Sequence, residues 1–420
     1  MAGAILAAVI LAVDPHCAFA FSLTKYFVLA AGLSAGLLVS PVPRTQLDSP
    51  AAFYLFVLIV CSVFSIDPLV SFLGVDNAYY NAVVPSLLVF GCFLLGHSAK
   101  LASLLRVLVL SCVAVSLIAI AQYFGYFMPW KAFSGGRYYS TLGNPVFMSS
   151  HLALGGIAAI GIGWTWALPI LAIGGILGAS RAALLAFLAG ILIIGLKRAY
   201  GQRGAFWTPS RALSAALLSC FIAFTLYSRA TTTGPGSDLG RKHMYIMAWK
   251  VFDKHPVLGQ GPETFFTSMH LYRTPELDRD MTPAWGNAHV HNSYLEALSM
   301  GGYLLFLAYV VLQFAILIAL LRAKQYVTLA MGVGLVVFGL FQPTQLSLKA
   351  IYALILGASL EPEGEWGVST TYLHRGVFLA LALMVSVFYA GGRIHKLSER
   401  LQVNVKLFNA STKYLPTLYH

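Results

Sequence analysis

The stretch Leu101–Gly125 reads LASLLRVLVLSCVAVSLIAIAQYFG, and Arg106 is its only charged residue. A helix needs about 20 apolar residues to cross roughly 30 Å of hydrocarbon, and this stretch supplies them. It lacks the strict two-residue alternation of a membrane-barrel strand. Inside lipid every backbone amide must be satisfied within its own segment, which leaves a helix. Ala18–Ser40, Ser210–Ser228 and Tyr303–Leu321 repeat the pattern. The whole chain is 58% hydrophobic and only 10% charged. Soluble proteins carry about 25% charged residues, so an ordinary water-soluble fold is excluded. The sequence predicts an all-α, polytopic integral membrane protein with about 12–13 transmembrane helices.

The formal charge is +12. The cations gather at the ends of apolar runs, which suits topology signals and gives no reason to expect a nucleic-acid partner. Lys197, Arg198, Arg203 and Arg211 share one short connection, which the positive-inside rule places in the cytoplasm. Counting back through alternating spans puts Arg44, and then His97, Lys100 and Arg106, on the same side. Ile66–Tyr80, with Asp67 and Asp76 but no Lys or Arg, falls outside, as does Met128–Gly143. Counting forward, Arg322–Lys324 returns inside. Beyond Pro343 the parity stays open. A full span at Lys349–Leu360 puts the tail outside, whereas Arg393, Lys396, Arg400 and Lys406 favour the inside. Met1–Val13 has no basic residues ahead of it and reads as a short first span, not a cleaved leader. The five cysteines form no CxxC pair and read as small buried hydrophobes.

The expected organisation is a bundle of about nine spans over residues 1–228, an external loop over 229–289, further transmembrane helices over 290–392, and a short basic tail over 393–420. Loops of this length inside a compact fold are usually functional. Within this one, Met244, Met247, Ala248, Val251 and Phe252 recur at helical spacing. They predict an amphipathic helix over Leu239–Lys254 that lies on the membrane surface or caps the bundle. It stops at His255-Pro256, because the residue before proline disfavours the α region. Gly259 and Gly261 follow as a turn.

Several residues carry chemistry. His291 stands where the loop meets the next span, and its ordinary pKa near 6.5 suits a general base. The same position also suits a histidine that only caps the helix. Asn292 and Glu296 are four residues apart and share a helix face, so Glu296 can anchor that mouth. His289 and His291 form an H-x-H pair, but no cysteine or closely spaced carboxylate joins them in sequence, so no metal and no cofactor is expected. Arg181 follows Ser180 in a tight turn, where a guanidinium either grips phosphate oxygens or snorkels to the interface. Arg241 and Lys242 open the amphipathic helix and suit a diphosphate or anionic lipid. Asp278-Arg279-Asp280 is a weak metal motif in a turn-rich stretch. Asn144 with Pro145 is a helix-entry signal that needs no function.

Taken in order, these segments carry a family likeness. They include Phe64-Ser65-Ile66-Asp67-Pro68 with Ser71 and Gly74, Thr141-Leu142-Gly143-Asn144-Pro145, and Ser180-Arg181-Ala182-Ala183-Leu184. Arg241 with Trp249 follows, then His255-Pro256-Val257-Leu258-Gly259-Gln260-Gly261 with Glu263 and Phe265. The last is His291-Asn292-Ser293-Tyr294-Leu295-Glu296 with Gly302. The chain resembles the bacterial O-antigen ligase and polymerase family of membrane glycosyltransferases over about residues 20 to 360, although Leu305 stands where a second glycine is expected.

The resemblance implies an inner-membrane enzyme with its site facing the periplasm. Its donor is a glycan linked to undecaprenyl diphosphate. Its acceptor is lipid A-core in a ligase, a glycan repeat in a polymerase, or a protein in related oligosaccharyltransferases. It assigns the donor diphosphate to Arg181 and Arg241 and activation of the acceptor hydroxyl to His291, with Lys242, Asn292, Asn144, His289 and Glu296 lining the substrate. Fixed arginines stabilise an anionic leaving group without a metal, so metal-independent inverting transfer is expected. A lipid-linked glycan transporter is the rival from another class. It predicts ionisable residues deep in the spans and internal repeats. Lys25 and Lys349 are the only notable mid-span charges.

Overall fold

The computed structural model describes residues 1–15, 21–40, 43–74, 81–126, 137–201, 236–272, 289–365 and 374–394, apart from 388 and 392. The expected span Ser210–Ser228, the Asp278–Asp280 motif and most of the basic tail lie outside the described residues.

The described chain is helical. In order the helices are α1 Ala2–Leu11, α2 Ser22–Val39, α3 Asp48–Val63, α4 Pro68–Leu73, α5 Val83–Gly96, α6 Leu101–Tyr123, α7 Pro145–Ile162, α8 Leu168–Gly178, α9 Arg181–Gly201, α10 Gly236–Lys254, α11 Phe265–Leu271, α12 Ser293–Arg322, α13 Tyr326–Gly339 and α14 Leu346–Ser359. A further helix, α15, covers His374–Gly391. The only strands among the described residues are Pro43–Arg44 and Gly364–Glu365, paired antiparallel. Among the described residues five helices are long and apolar enough to cross a membrane: α2, α6, α7, α12 and α15. Six shorter apolar helices accompany them. The protein is an all-α, multi-pass membrane protein.

The packing gives the bundle two distinct ends. At one, Lys197 lies 4.7 Å over the Tyr326 ring. Thr328 meets Ser359 at 2.6 Å, Leu360 O meets His97 Nδ1 at 3.0 Å, and Arg44 pairs with Gly364. The basic connections thus gather together. At the other end three helices begin on a capping side chain that takes up amides the helix leaves unpaired. Asp67 Oδ1 accepts from Val70 N at 3.1 Å, Asn144 Oδ1 from Val146 N at 2.8 Å, and Asn292 Oδ1 from Tyr294 N and Leu295 N at 3.0 Å each.

This polarity resolves the parity left open by the sequence. Helix α14 starts at the capped end, where Lys349 donates to Asn81, and finishes beside His97 and Arg44. Its 14 residues rise only about 21 Å, yet they connect both ends. Helix α15 then runs back. Arg375 at its start donates to Leu37 O and Ser40 O. Past its end, Arg393 lies 3.4 Å from Asp14, close in sequence to Ile10, whose carbonyl accepts from Thr141 at the capped end. Arg393 therefore stands at the capped end.

Helices α5 and α14 approach closely at two glycines. A Cβ on Gly357 would lie 2.0 Å from Phe93 O, and one on Gly96 would lie 2.2 Å from Leu354 O. Helix α12 is kinked at Gly302, which has φ 63° and ψ −165°. There the turn after α10 docks. Tyr303 N donates to Pro256 O at 2.8 Å, and Gly261 N donates to Met300 O at 2.8 Å. The kink frees α12 amides, and the His255–Gly261 turn takes them up. A Cβ on Gly302 would lie 2.3 Å from the Val257 carbonyl. Gly302→Ala is expected to destabilise the protein by on the order of 2–4 kcal/mol, combining left-handed strain with the clash. Thermal unfolding in detergent checks this, and an unchanged Tm contradicts it.

Candidate active site at the capped end

Helix α10 buries the five residues that the helical spacing picks out. Met244, Met247, Ala248, Val251 and Phe252 are all buried. Met244, Met247, Ala248 and Val251 pack with Phe265, Val290 and Met300, while Phe252 meets Tyr303 edge-on at 4.9 Å. The helix caps the bundle through this face. Its other face exposes Lys242, Ile246, Trp249 and Lys250, which with Arg241 and Tyr245 line a shallow groove.

His291 sits under the inner end of that groove. Its φ of 60° is left-handed, a conformation that costs a non-glycine residue roughly 1–2 kcal/mol. Three contacts hold it. Asn292 caps α12 immediately after it. Its own carbonyl accepts from Tyr245 Oη at 3.5 Å. Its Nδ1 lies 2.8 Å from Gln342 Oε1. Burial pulls the His291 imidazole below its ordinary value, the Gln342 bond opposes this, and the nearby Arg241 charge lowers it further. Its surroundings therefore favour the neutral ring, which offers a basic lone pair.

A second cluster lies deeper. His289 Nδ1 meets Glu296 Oε1 at 2.8 Å, and both residues are buried. Glu263, also buried, brings a ligand-capable atom within 4.8 Å of theirs. The fold thus brings to His289 two carboxyl groups, Glu263 and Glu296, that do not adjoin it in sequence. Glu296 holds the mouth of α12 through His289. Asn81 N donates to Glu263 Oε1 at 2.6 Å, and Lys349 Nζ donates to Asn81 Oδ1 at 2.6 Å. The second oxygens of Glu263 and Glu296 are buried without a hydrogen bond. A cavity of about 20 Å³ touches both residues, room for one water molecule.

Burial pushes the Glu263 carboxyl up, partly opposed by His289. Burial lowers His289, but Glu296 and Glu263 outweigh it and hold the ring above the usual histidine value. Two carboxyl groups thus face His289 and, through Asn81, Lys349. The His289–Glu296 spacing of 2.8 Å is a hydrogen bond. Ligands spread about an ion at 2.0–2.2 Å bond lengths sit farther apart than that. The cluster reads as a closed ion-pair network that braces the turn carrying His291.

Arg181 opens α9 and is half-buried. The preceding turn has Ala179 at φ 47°. Arg137 clamps that turn by donating to Gly178 O at 2.7 and 3.0 Å and to Ala179 O at 3.2 Å. Behind Arg181, Ala182, Ala183 and Ala186 pack against Phe338, whose carbonyl accepts from Gln342 N at 3.0 Å. Arg181 therefore stands at the same end of the bundle as His291, on a neighbouring element. The structure brings His291, Asn292 and Arg241 together and sets Lys242 on the exposed face of α10. It pairs His289 with Glu296 beneath them and uses Asn144 to cap α7.

Sequence reasoning gave no role to Gln342, Tyr245 or Arg137, and noticed Glu263 only as part of a motif. A polar residue directly before Pro343 at the end of an apolar run was the one available signal for Gln342. An apolar cavity of about 200 Å³ lies between α3, α5, α12, α13 and α14, with Tyr54, Phe90, Tyr309, Val336 and Lys349 on its walls.

No curated protein matches the chain. The model of the O-antigen ligase family matches residues 166–310. That segment, about a third of the chain, holds Arg181, the whole of α10, the docking turn, Glu263, His289, His291 and the kinked start of α12, and it is similar to the O-antigen ligase family.

Proposed function

We propose that the protein is an O-antigen ligase of the bacterial inner membrane, transferring a glycan from undecaprenyl diphosphate to lipid A-core on the periplasmic side. The observation that carries this reading is His291. It is an imidazole fixed at a loop–helix junction, with one ring nitrogen tied to Gln342 and the Arg241 charge beside it disfavouring the protonated form. A histidine held so is suited to take a proton from an acceptor hydroxyl.

In the step proposed, the acceptor oxygen attacks the anomeric carbon and its proton passes to His291 Nε2. The bond from that carbon to the diphosphate oxygen breaks, and undecaprenyl diphosphate leaves with the electron pair. Attack opposite the leaving group inverts the anomeric centre. Arg241 and Arg181 offer guanidinium forks to the departing diphosphate, the charge a metal would otherwise neutralise. The apolar cavity suits a prenyl chain.

A transporter fits less well. Of the two mid-span lysines, Lys25 is fastened to Ile10 O and Ala12 O at 2.9 and 2.8 Å, and Lys349 to Asn81. Both are built into the packing.

The test is glycan transfer by purified protein given an undecaprenyl-diphosphate glycan and lipid A-core, with EDTA present. Transfer to lipid A-core that survives EDTA is expected. Lengthening of the donor glycan instead makes the protein a polymerase. A donor left untouched with every acceptor overturns the enzyme reading.

A further inference from the structure

We propose that Gln342 is a positioning residue for His291, whose side-chain oxygen fixes the ring so that Nε2 alone faces the acceptor. The inference rests on the reading of His291 as the base. An amide oxygen can only accept, so at 2.8 Å from Gln342 Oε1 the Nδ1 must carry the proton of the neutral ring. The lone pair then lies on Nε2, and the ring cannot turn without losing the bond.

Gln342 is itself held. It is 5% exposed, so its amide is not competed for by water. Its N–H donates to Phe338 O at 3.0 Å, and its main-chain carbonyl accepts from Ser293 Oγ at 3.2 Å. Ser293 belongs to the first turn of α12, two residues after His291. The end of α13 and the turn carrying the base are therefore tied twice, once through each side chain. Phe338 in turn packs on Ala182 and Ala183, directly behind Arg181. Gln342 is the residue through which the helix bearing that arginine and the histidine share one frame.

Its neutrality matters as much as its reach. A carboxylate at that place would fix the same tautomer but would also stabilise the imidazolium and fill the base with a proton. The charged groups facing His291 are Arg241 from α10, and His289 and Glu296 on either side of the turn. Two are cationic when charged and one is anionic. An uncharged acceptor leaves that balance set against the protonated ring.

The experiment measures kcat and KM against pH, between about pH 5 and 9, for wild type, Gln342→Glu, Gln342→Leu and His291→Ala. Gln342→Glu keeps the bond and adds charge, so the acidic limb of the profile is expected to move up by about 1–3 pH units with the plateau rate retained. Gln342→Leu removes the bond, and kcat is expected to fall on the order of 10–100-fold at every pH, as for partners that orient a metal-bound imidazole, with donor KM unchanged. A Gln342→Glu limb that coincides with wild type, or a Gln342→Leu protein with wild-type kcat, overturns the proposal. If Gln342→Leu does not fold, the limb of Gln342→Glu decides alone. Full activity in His291→Ala instead removes the base reading itself, and so separates the two failures.

Discussion

Replacing His291 with asparagine is expected to lower glycan transfer by about 10²–10⁴-fold, the usual contribution of a positioned general base, while leaving the fold intact. The choice of asparagine follows from the backbone. His291 has φ 60°, and asparagine tolerates the left-handed region far better than most residues. Alanine would remove the ring and add backbone strain at once, so a loss in His291→Ala alone could be misread. Asparagine keeps the turn and loses the base. Helix α12 should still start correctly, because its cap is Asn292. Thermal unfolding close to wild type together with lost transfer assigns the chemistry to the ring. Transfer within a few-fold of wild type removes His291 from the mechanism and leaves it as a structural residue of the turn before α12.

Glu296→Ala is expected to cost about 3–5 kcal/mol of stability, because it strips the partner from a buried charge. His289 would keep its burial and lose the carboxylate 2.8 Å away. Glu263 would remain with one oxygen already lacking a hydrogen bond. The effect should depend on pH. His289 is held above the ordinary histidine value, so its pairing stabilises fully below the unfolded value of about 6.5 and is lost as pH rises through the folded value. The gap between wild type and Glu296→Ala should therefore narrow in alkaline solution. Thermal unfolding across pH measures it. A variant as stable as wild type at acidic pH contradicts the ion-pair reading.

Much of this was legible from residue order alone. The apolar runs announced the helices because lipid admits few other backbones. The stripe from Met244 to Phe252 announced the buried face of α10 because helical spacing places those residues together. His291 stood out where the loop meets a span, and Arg241 at the opening of the amphipathic helix. The deeper network was hidden. Glu263, His289 and Glu296 come from separate turns, and Asn81 and Lys349 from distant helices. Only the docking of the His255–Gly261 turn onto the Gly302 kink brings Glu263 to His289. Gln342 was hidden for the same reason, since it follows His291 by half a hundred residues, at the end of another helix. The topology of the last helices stayed open in the sequence because its charge signals conflicted, and the contacts of Arg375 and Arg393 set the two ends of α15.

The most direct measurement is a structure of the protein with undecaprenyl diphosphate bound. The expected result places the diphosphate between Arg181 and Arg241, with His291 Nε2 facing the space where the anomeric carbon would lie and Nδ1 still on Gln342. A diphosphate bound away from both arginines, with no path from it to His291, contradicts a shared catalytic site at this end of the bundle.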